Sequence, residues 1–315
     1  MVHISDLSGS WVPPALPEDI VQGDMPGDKI RIEPQHVQKA NILFPLFRTE
    51  LASLLASHQQ HRAVIGVCGG SGAGKSEIAS LLGTRLKMEG IGVYILSGDN
   101  YPHRIPRDND AERLRVYRTG GLKGLLMSGC YRDEDGKTLR QLWMAERDAE
   151  KAAADVYPWM RIYQNAAELS LNAYLGSPAE IDFDEINRIC GSFKNGSDRI
   201  ALRRMGREPE ALWYHQADFS EVQVLIIEWT HANSDYLGGI DLSIFLHSSP
   251  EETLAHRRAR ARDGKTDSAF TETVLRLEQI KLEHQAHKSK LIISHDGEIL
   301  SYAQYRQWMA KSENF

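Results

Sequence analysis

The chain is poor in cysteine, has no long apolar run and carries no excess of positive charge. Only three of its 315 residues are cysteine, and Cys68, Cys130 and Cys190 have neither paired metal-ligand spacing nor the pattern of a disulfide framework. Cys68 ends an apolar segment and reads as a small buried residue rather than a nucleophile. No apolar stretch approaches the roughly 20 residues that a bilayer span requires. The N-terminus lacks the basic-then-apolar design of a secretory signal. A net charge of -6 argues against nucleic acid as the main partner. Asn-Lys-x-Asp, the guanine-reading motif, is absent, and a D-x-x-G match at Asp133 to Gly136 does not follow an apolar strand. These absences lead us to expect a protein of the reducing cytoplasm that binds neither membrane nor nucleic acid.

What is present begins with Gly69-Gly70-Ser71-Gly72-Ala73-Gly74-Lys75-Ser76, a match to the phosphate-loop pattern G-x-x-x-x-G-K-[ST]. Its context fits. The apolar run Ala63-Val64-Ile65-Gly66-Val67-Cys68 before it reads as a buried strand, and Glu77 to Leu82 after it has helical periodicity. Glycines permit positive φ and close backbone approach, so the N–H groups from Gly70 through Ser71, Gly72, Ala73 and Gly74 to Lys75 and Ser76 would face the phosphates at the positive end of a helix. Lys75 would add a point charge to the same oxygens, and Ser76 a hydroxyl to Mg²⁺.

Four further apolar runs, at 91–96, 222–227, 240–246 and 290–293, read as buried parallel strands separated by helical stretches. The expected fold is α/β: a doubly wound, five-stranded parallel sheet with ligands at the carboxyl ends of its strands. Residues before about Ile32 are rich in Pro, Gly and Asp, and are read as an extended arm without chemistry. Pro34 to about His58 then forms an amphipathic helix whose apolar positions pack either on the core or on a second subunit, a homodimer in the latter case. Arm and helix account for residues 1–58 and the main domain for 59–315. More than a hundred residues separate the second and third strands, and they predict a mostly helical insertion at about 112–215, with helices over Thr138 to Ala154 and Arg161 to Leu175 parted by Pro158. Its Trp143, Tyr157, Trp159 and Tyr163 either line an acceptor pocket or form simple core.

Two acids close predicted strands. Asp99, in Leu96-Ser97-Gly98-Asp99-Asn100-Tyr101, stands at the carboxyl end of the second strand; it either orients an acceptor hydroxyl and takes its proton or caps a turn. Glu228, in Ile226-Ile227-Glu228-Trp229, falls where a Walker-B-type acid reaches the metal directly or through water, or else is a buried structural acid. Tyr101, His103, Arg104 and Arg107 follow Asp99 directly, and either hold an anionic or hydroxyl-rich acceptor or pair with Asp108, Asp110 and Glu112. Arg258 and Arg262, four residues apart on one predicted helix face, suit a phosphate-binding lid at about 255–270 hinged at Gly264, or else form a solvated basic face.

The order of phosphate loop, Leu-Ser-x-Asp-x-Tyr after the second strand, Ile-Ile-Glu after the third and arginines after the fourth resembles the uridine kinase and phosphoribulokinase group of P-loop kinases, which includes bacterial pantothenate kinase. The resemblance covers about Arg62 to Ile293 with gaps. It implies that Asp99 is the base and a metal neighbour, that Glu228 assists the metal, and that Arg258 and Arg262 contact phosphates. Where uridine kinases carry Asp-His-Pro-Asp, this chain reads Gly176-Ser177-Pro178-Ala179, which points to an acceptor other than uridine. The expected activity is transfer of the γ-phosphoryl of ATP, with Mg²⁺, to a hydroxyl of a nucleoside, sugar or related metabolite. A nucleotide-dependent switch or binding protein with slow NTP hydrolysis is the alternative.

Overall fold

A computed structural model describes residues 11–28, 30–58, 61–206, 208–254 and 268–312. In chain order its elements are α1 (Pro34–Ser57), β1 (Ala63–Gly69), α2 (Lys75–Met88), β2 (Val93–Ser97), α3 (Pro106–Met127), α4 (Asp133–Met144), α5 (Ala153–Val156), α6 (Met160–Tyr174), α7 (Phe183–Lys194), β3 (Arg199–Met205), β4 (Leu212–Asp218), β5 (Val224–Glu228), β6 (Leu242–Leu246), α8 (Ala269–Gln285), β7 (Leu291–Ile293), β8 (Ile299–Leu300) and α9 (Tyr302–Ser312). They form two compact units. The first comprises Met1–Tyr101, Asp182–Thr253 and Leu282–Phe315, and the second Pro102–Ile181 and Leu254–Lys281.

The first unit is built on a sheet of order β2-β5-β1-β6-β7-β8. The five predicted strands are all present and parallel, and β8 adds a sixth, antiparallel to β7. At two residues β8 is too short to show periodicity. Every residue of β1, β5 and β6 is buried, as expected of parallel strands covered on both faces. Ile65, Val67, Ile226 and Ile244 meet Leu43, Phe44, Phe47 and Leu51 of α1 and Ile78, Leu81 and Leu82 of α2 in one core. The apolar face of α1 is therefore spent on its own chain, although Ile42 and Leu46 stay exposed. Pro34 opens this helix, where its missing N–H costs nothing. The predicted insertion's residues from Asp182 onward belong to this unit as α7 and, continuing to Asp218, a β3–β4 hairpin, an antiparallel ribbon that the helical reading did not contain.

The second unit packs α3 along α6, with Tyr117, Leu125, Leu139, Met160, Tyr163 and Leu171 at its centre. The helix predicted from Thr138 is instead α4, which starts at Asp133 and ends at Met144. Beyond it the chain turns around Asp148, which accepts from Arg118 (2.8 Å) and from the Tyr163 hydroxyl (2.9 Å). Trp143, Tyr157 and Trp159 pack against this core and Tyr163 lies within it, the simple-core alternative for these aromatics.

Candidate active site

The register of the sheet brings the chemistry of the first unit to one edge. Both Val67 and Ser97 pair with Glu228, so the carboxyl ends of β1, β2 and β5 lie side by side. From β1 the chain enters the phosphate loop, where Gly72 and Gly74 hold φ of +80° and +86°. Gly74 is needed twice over, because a Cβ there would also meet the His36 ring of α1 at 3.2 Å. The loop closes with Ala73 N–H donating to Gly70 O and with Lys75 Nζ donating to the same oxygen at 3.0 Å. Lys75 and Ser76 form the first turn of α2, at the positive end of the helix.

Glu228 is the hub. It is buried, and it accepts from Ser76 Oγ at 3.2 Å and from Ser97 Oγ at 2.8 Å. Burial first, and then the like charge of Asp99, push its carboxyl up to about 8, against the opposing pull of Lys75 and the two hydroxyls. Asp99 lies on a 3₁₀ turn, Gly98–Asn100, whose other two residues are buried while Asp99 is exposed. Its carboxylate makes no hydrogen bond with a described residue, so it caps neither its own turn nor α3. Gly98 is required here, since a Cβ would stand 2.0 Å from Trp229 Cγ.

No group of three or more His, Cys, Asp or Glu is arranged to hold a metal among the described residues. Two carboxylates and one hydroxyl nevertheless suit Mg²⁺, a hard cation that takes few protein ligands and completes its octahedron with water and phosphate oxygens. The fit is electrostatic as well: Asp99 raises the cost of ionising buried Glu228, and a cation between them would relieve it.

The other candidates divide. Tyr101 is fully buried in the first unit under the Arg203 guanidinium, 5.2 Å from its ring. His103, Arg104 and Arg107 belong to the second unit. There His103 Nε2 meets Pro178 O at 3.0 Å, Arg104 donates to the Tyr174 hydroxyl and pairs with Glu112 at 3.7 Å, and Arg107 pairs with Asp108 at 3.3 Å. Two of these contacts, to Glu112 and Asp108, are ion pairs of the kind that the sequence offered as an alternative to acceptor binding, whereas Asp110 pairs with Arg113. Arg258 and Arg262 lie outside the described residues. Cys68 is buried and its thiol is pushed up to about 12, which removes it as a nucleophile at neutral pH. Sequence reasoning passed over Ser97, whose hydroxyl holds Glu228, and Asp24, which bonds to the Asp99 turn from the arm. Ser97 lies in the Leu-Ser-x-Asp-x-Tyr segment, at a strand end, but was given no role there, and Asp24 lies in no motif.

Residues 61–116 match the adenylylsulphate kinase family. Over 240 residues, 76% of this chain, the sequence is 40% identical to the bifunctional alpha-galactosidase/sucrose kinase AgaSK of Mediterraneibacter gnavus, and the match spans 21% of that protein's length. Similar solved structures include phosphoribulokinase from Rhodobacter spheroides, with 13% identity, coverage of 75% of this chain and 71% of that one, and a TM-score of 0.45. D-glycerate 3-kinase from Cryptococcus neoformans is similar at 12% identity, with coverage of 85% and 98% and a TM-score of 0.46. No helix among the described residues is long and apolar enough to cross a membrane.

Proposed function

We propose that this protein is an ATP-dependent sugar kinase that moves the γ-phosphoryl group of ATP to an acceptor hydroxyl, with a sucrose-type disaccharide as the leading acceptor. The observation that carries the reading is the meeting, at one sheet edge, of a phosphate loop, the Glu228 hub and an exposed Asp99 carboxylate free of hydrogen bonds to described residues. The choice of a sugar rests on the 40% identity to a protein that includes a sucrose kinase, and it agrees with the missing Asp-His-Pro-Asp segment of uridine kinases.

In this reading the loop amides and Lys75 cradle the β- and γ-phosphates, stabilising charge that spreads over the transferring group. Ser76, Glu228 and Asp99 would hold Mg²⁺, which supplies further positive charge to those phosphates when bound. Asp99 takes the proton of the acceptor hydroxyl as its oxygen bonds to the γ-phosphorus. The bond from that phosphorus to the bridging oxygen breaks, and ADP leaves with the electron pair. Loop positioning supplies most of the rate, and the base a factor of about 10² to 10⁴.

The test is ADP formation with sucrose, glucose, fructose, uridine or no acceptor. Sucrose should raise the rate at least about tenfold over the acceptor-free rate, and uridine should leave it unchanged. Asp99→Asn should lower kcat about a hundredfold while ATP affinity stays within about threefold, as expected for a lost general base. A rate that no acceptor raises, together with normal turnover by Asp99→Asn, would favour the nucleotide switch.

A further inference from the structure

The N-terminal arm reaches the proposed active site. The described residues of 11–33 lie in neither helix nor strand, yet they are tied down along the first unit. The Trp11 ring meets Phe44 at 4.9 Å, Val21 N–H donates to Thr84 Oγ1 at 3.0 Å, and Gly23 packs against Ile95. The arm then delivers Asp24 to the end of β2.

Asp24 keeps only 9% of its side-chain exposure, accepts three hydrogen bonds and makes one ion pair. Oδ1 takes Ser97 N–H at 2.7 Å and Asn100 Nδ2 at 3.1 Å, whereas Oδ2 takes the Tyr94 hydroxyl at 3.1 Å and Arg204 Nη1 at 2.9 Å. Ser97 and Asn100 are the two residues that bracket the Gly98–Asp99 step. β2 is the edge strand of the sheet, so the Ser97 amide finds its acceptor in the arm. Asn100 is also gripped by the β3–β4 hairpin, with Arg203 Nε donating to its carbonyl at 2.8 Å and Met205 N–H to its Oδ1 at 2.9 Å. The turn is thus clamped at both ends, and Asp99 alone among its residues reaches solvent.

We propose that Asp24 is a positioning residue for catalysis: by fixing Ser97 and Asn100 it sets the direction of Asp99 and, through the Ser97 hydroxyl on Glu228, the spacing of the two acids. Bonds to a buried carboxylate are short and directional, and such a support determines whether an acid is held within the few tenths of an ångström that catalysis needs. A purely structural role would make Asp24 one anchor of the arm among several. Trp11, a second anchor that packs on Phe44 and Arg85 rather than on the turn, separates the two roles. The inference rests on the kinase reading, and its test is arranged so that the two can fail separately.

Wild-type turnover with a sugar acceptor comes first, and its absence overturns the kinase reading alone. Asp24→Ala should then lower kcat by about tenfold or more with KM for ATP within about twofold, because the loss is one of orientation. Asp24→Asn keeps the shape and an acceptor for Ser97 and Asn100, and should fall between Ala and wild type. Trp11→Ala should lower the thermal midpoint and leave kcat unchanged. Independently of turnover, a Mn²⁺ titration of the ADP complex followed by electron paramagnetic resonance should show weaker metal binding in the order wild type, Asn, Ala, since Ser97 holds Glu228. Wild-type kcat and Mn²⁺ affinity in either Asp24 variant would overturn the inference, and so would an equal loss of kcat in Trp11→Ala. If Asp24→Ala does not fold, the Asn variant decides by the same criterion.

Discussion

Glu228 is held against its own solvation. A carboxyl that ionises near 4.5 in the unfolded chain and near 8 in the folded one makes the folded state hold a proton that the unfolded state has lost. Its contribution to stability is therefore most favourable below 4.5, declines as pH rises from 4.5 to 8, and is flat above. Glutamine does not titrate and can bond to both serine hydroxyls, which rotate to accept or donate. Glu228→Gln should then gain stability over wild type progressively between pH 5 and pH 8, by an amount on the order of a few kcal/mol at the upper end. The same variant should lose at least about tenfold in turnover, in keeping with a lost metal-assisting acid. Urea midpoints at four pH values decide the first point, and a stability difference that stays constant with pH would refute it. The two candidate acids were legible from their places at strand ends, because ligands gather at the carboxyl edge of such sheets. Their division of labour was not legible: burial of one and exposure of the other follows from β5 being internal to the sheet and β2 lying at its edge.

The turn Gly98–Asn100 and the hairpin β3–β4 act together as elements. Trp229, itself buried, covers Gly98 so closely that a methyl group has no room. Gly98→Ala should destabilise the protein by about 2 kcal/mol or more and lower turnover, because the chain must shift where Asp99 is carried. A thermal midpoint and kcat equal to wild type would contradict this packing. The strands of the parallel sheet could be read to within two residues from their apolar runs, since burial on both faces leaves no other composition. β3 could not. Arg199–Met205 carries three arginines, and two of them are buried only because Arg203 meets Asn100 and Asp182 while Arg204 meets Asp24. A strand whose charges are paired by distant residues has no local signature. The early end of α4 has a similar origin, since the turn that follows is held by Arg118 and Gln164 from other helices.

At the scale of the molecule, the phosphate loop, Asp99 and Glu228 all belong to the first unit, so under the proposed function nucleotide should stabilise that unit. With MgADP at a hundred times its Kd, the opening free energy of β1 and β5 core amides should rise by about 2.7 kcal/mol in native-state hydrogen exchange. Amides at the α3 and α6 contact, in the second unit, should keep their nucleotide-free protection. An equal rise in both units would mean that the chain opens as one cooperative body. The sequence by itself determined the phosphate loop, the parallel strands, the helix from Pro34 and the acids at the strand ends, because each is specified by residues within one short window: glycines for positive φ, continuous apolar runs for two-sided burial, an acid where a strand stops. Tertiary structure alone decided that the arm's Asp24 lies under the Asp99 turn, that Ser97 bonds to both Asp24 and Glu228, and that two arginines of β3 are buried. Those outcomes depend on bonds between groups tens to more than a hundred residues apart, whose pairing becomes favourable only once the sheet has brought them out of water together.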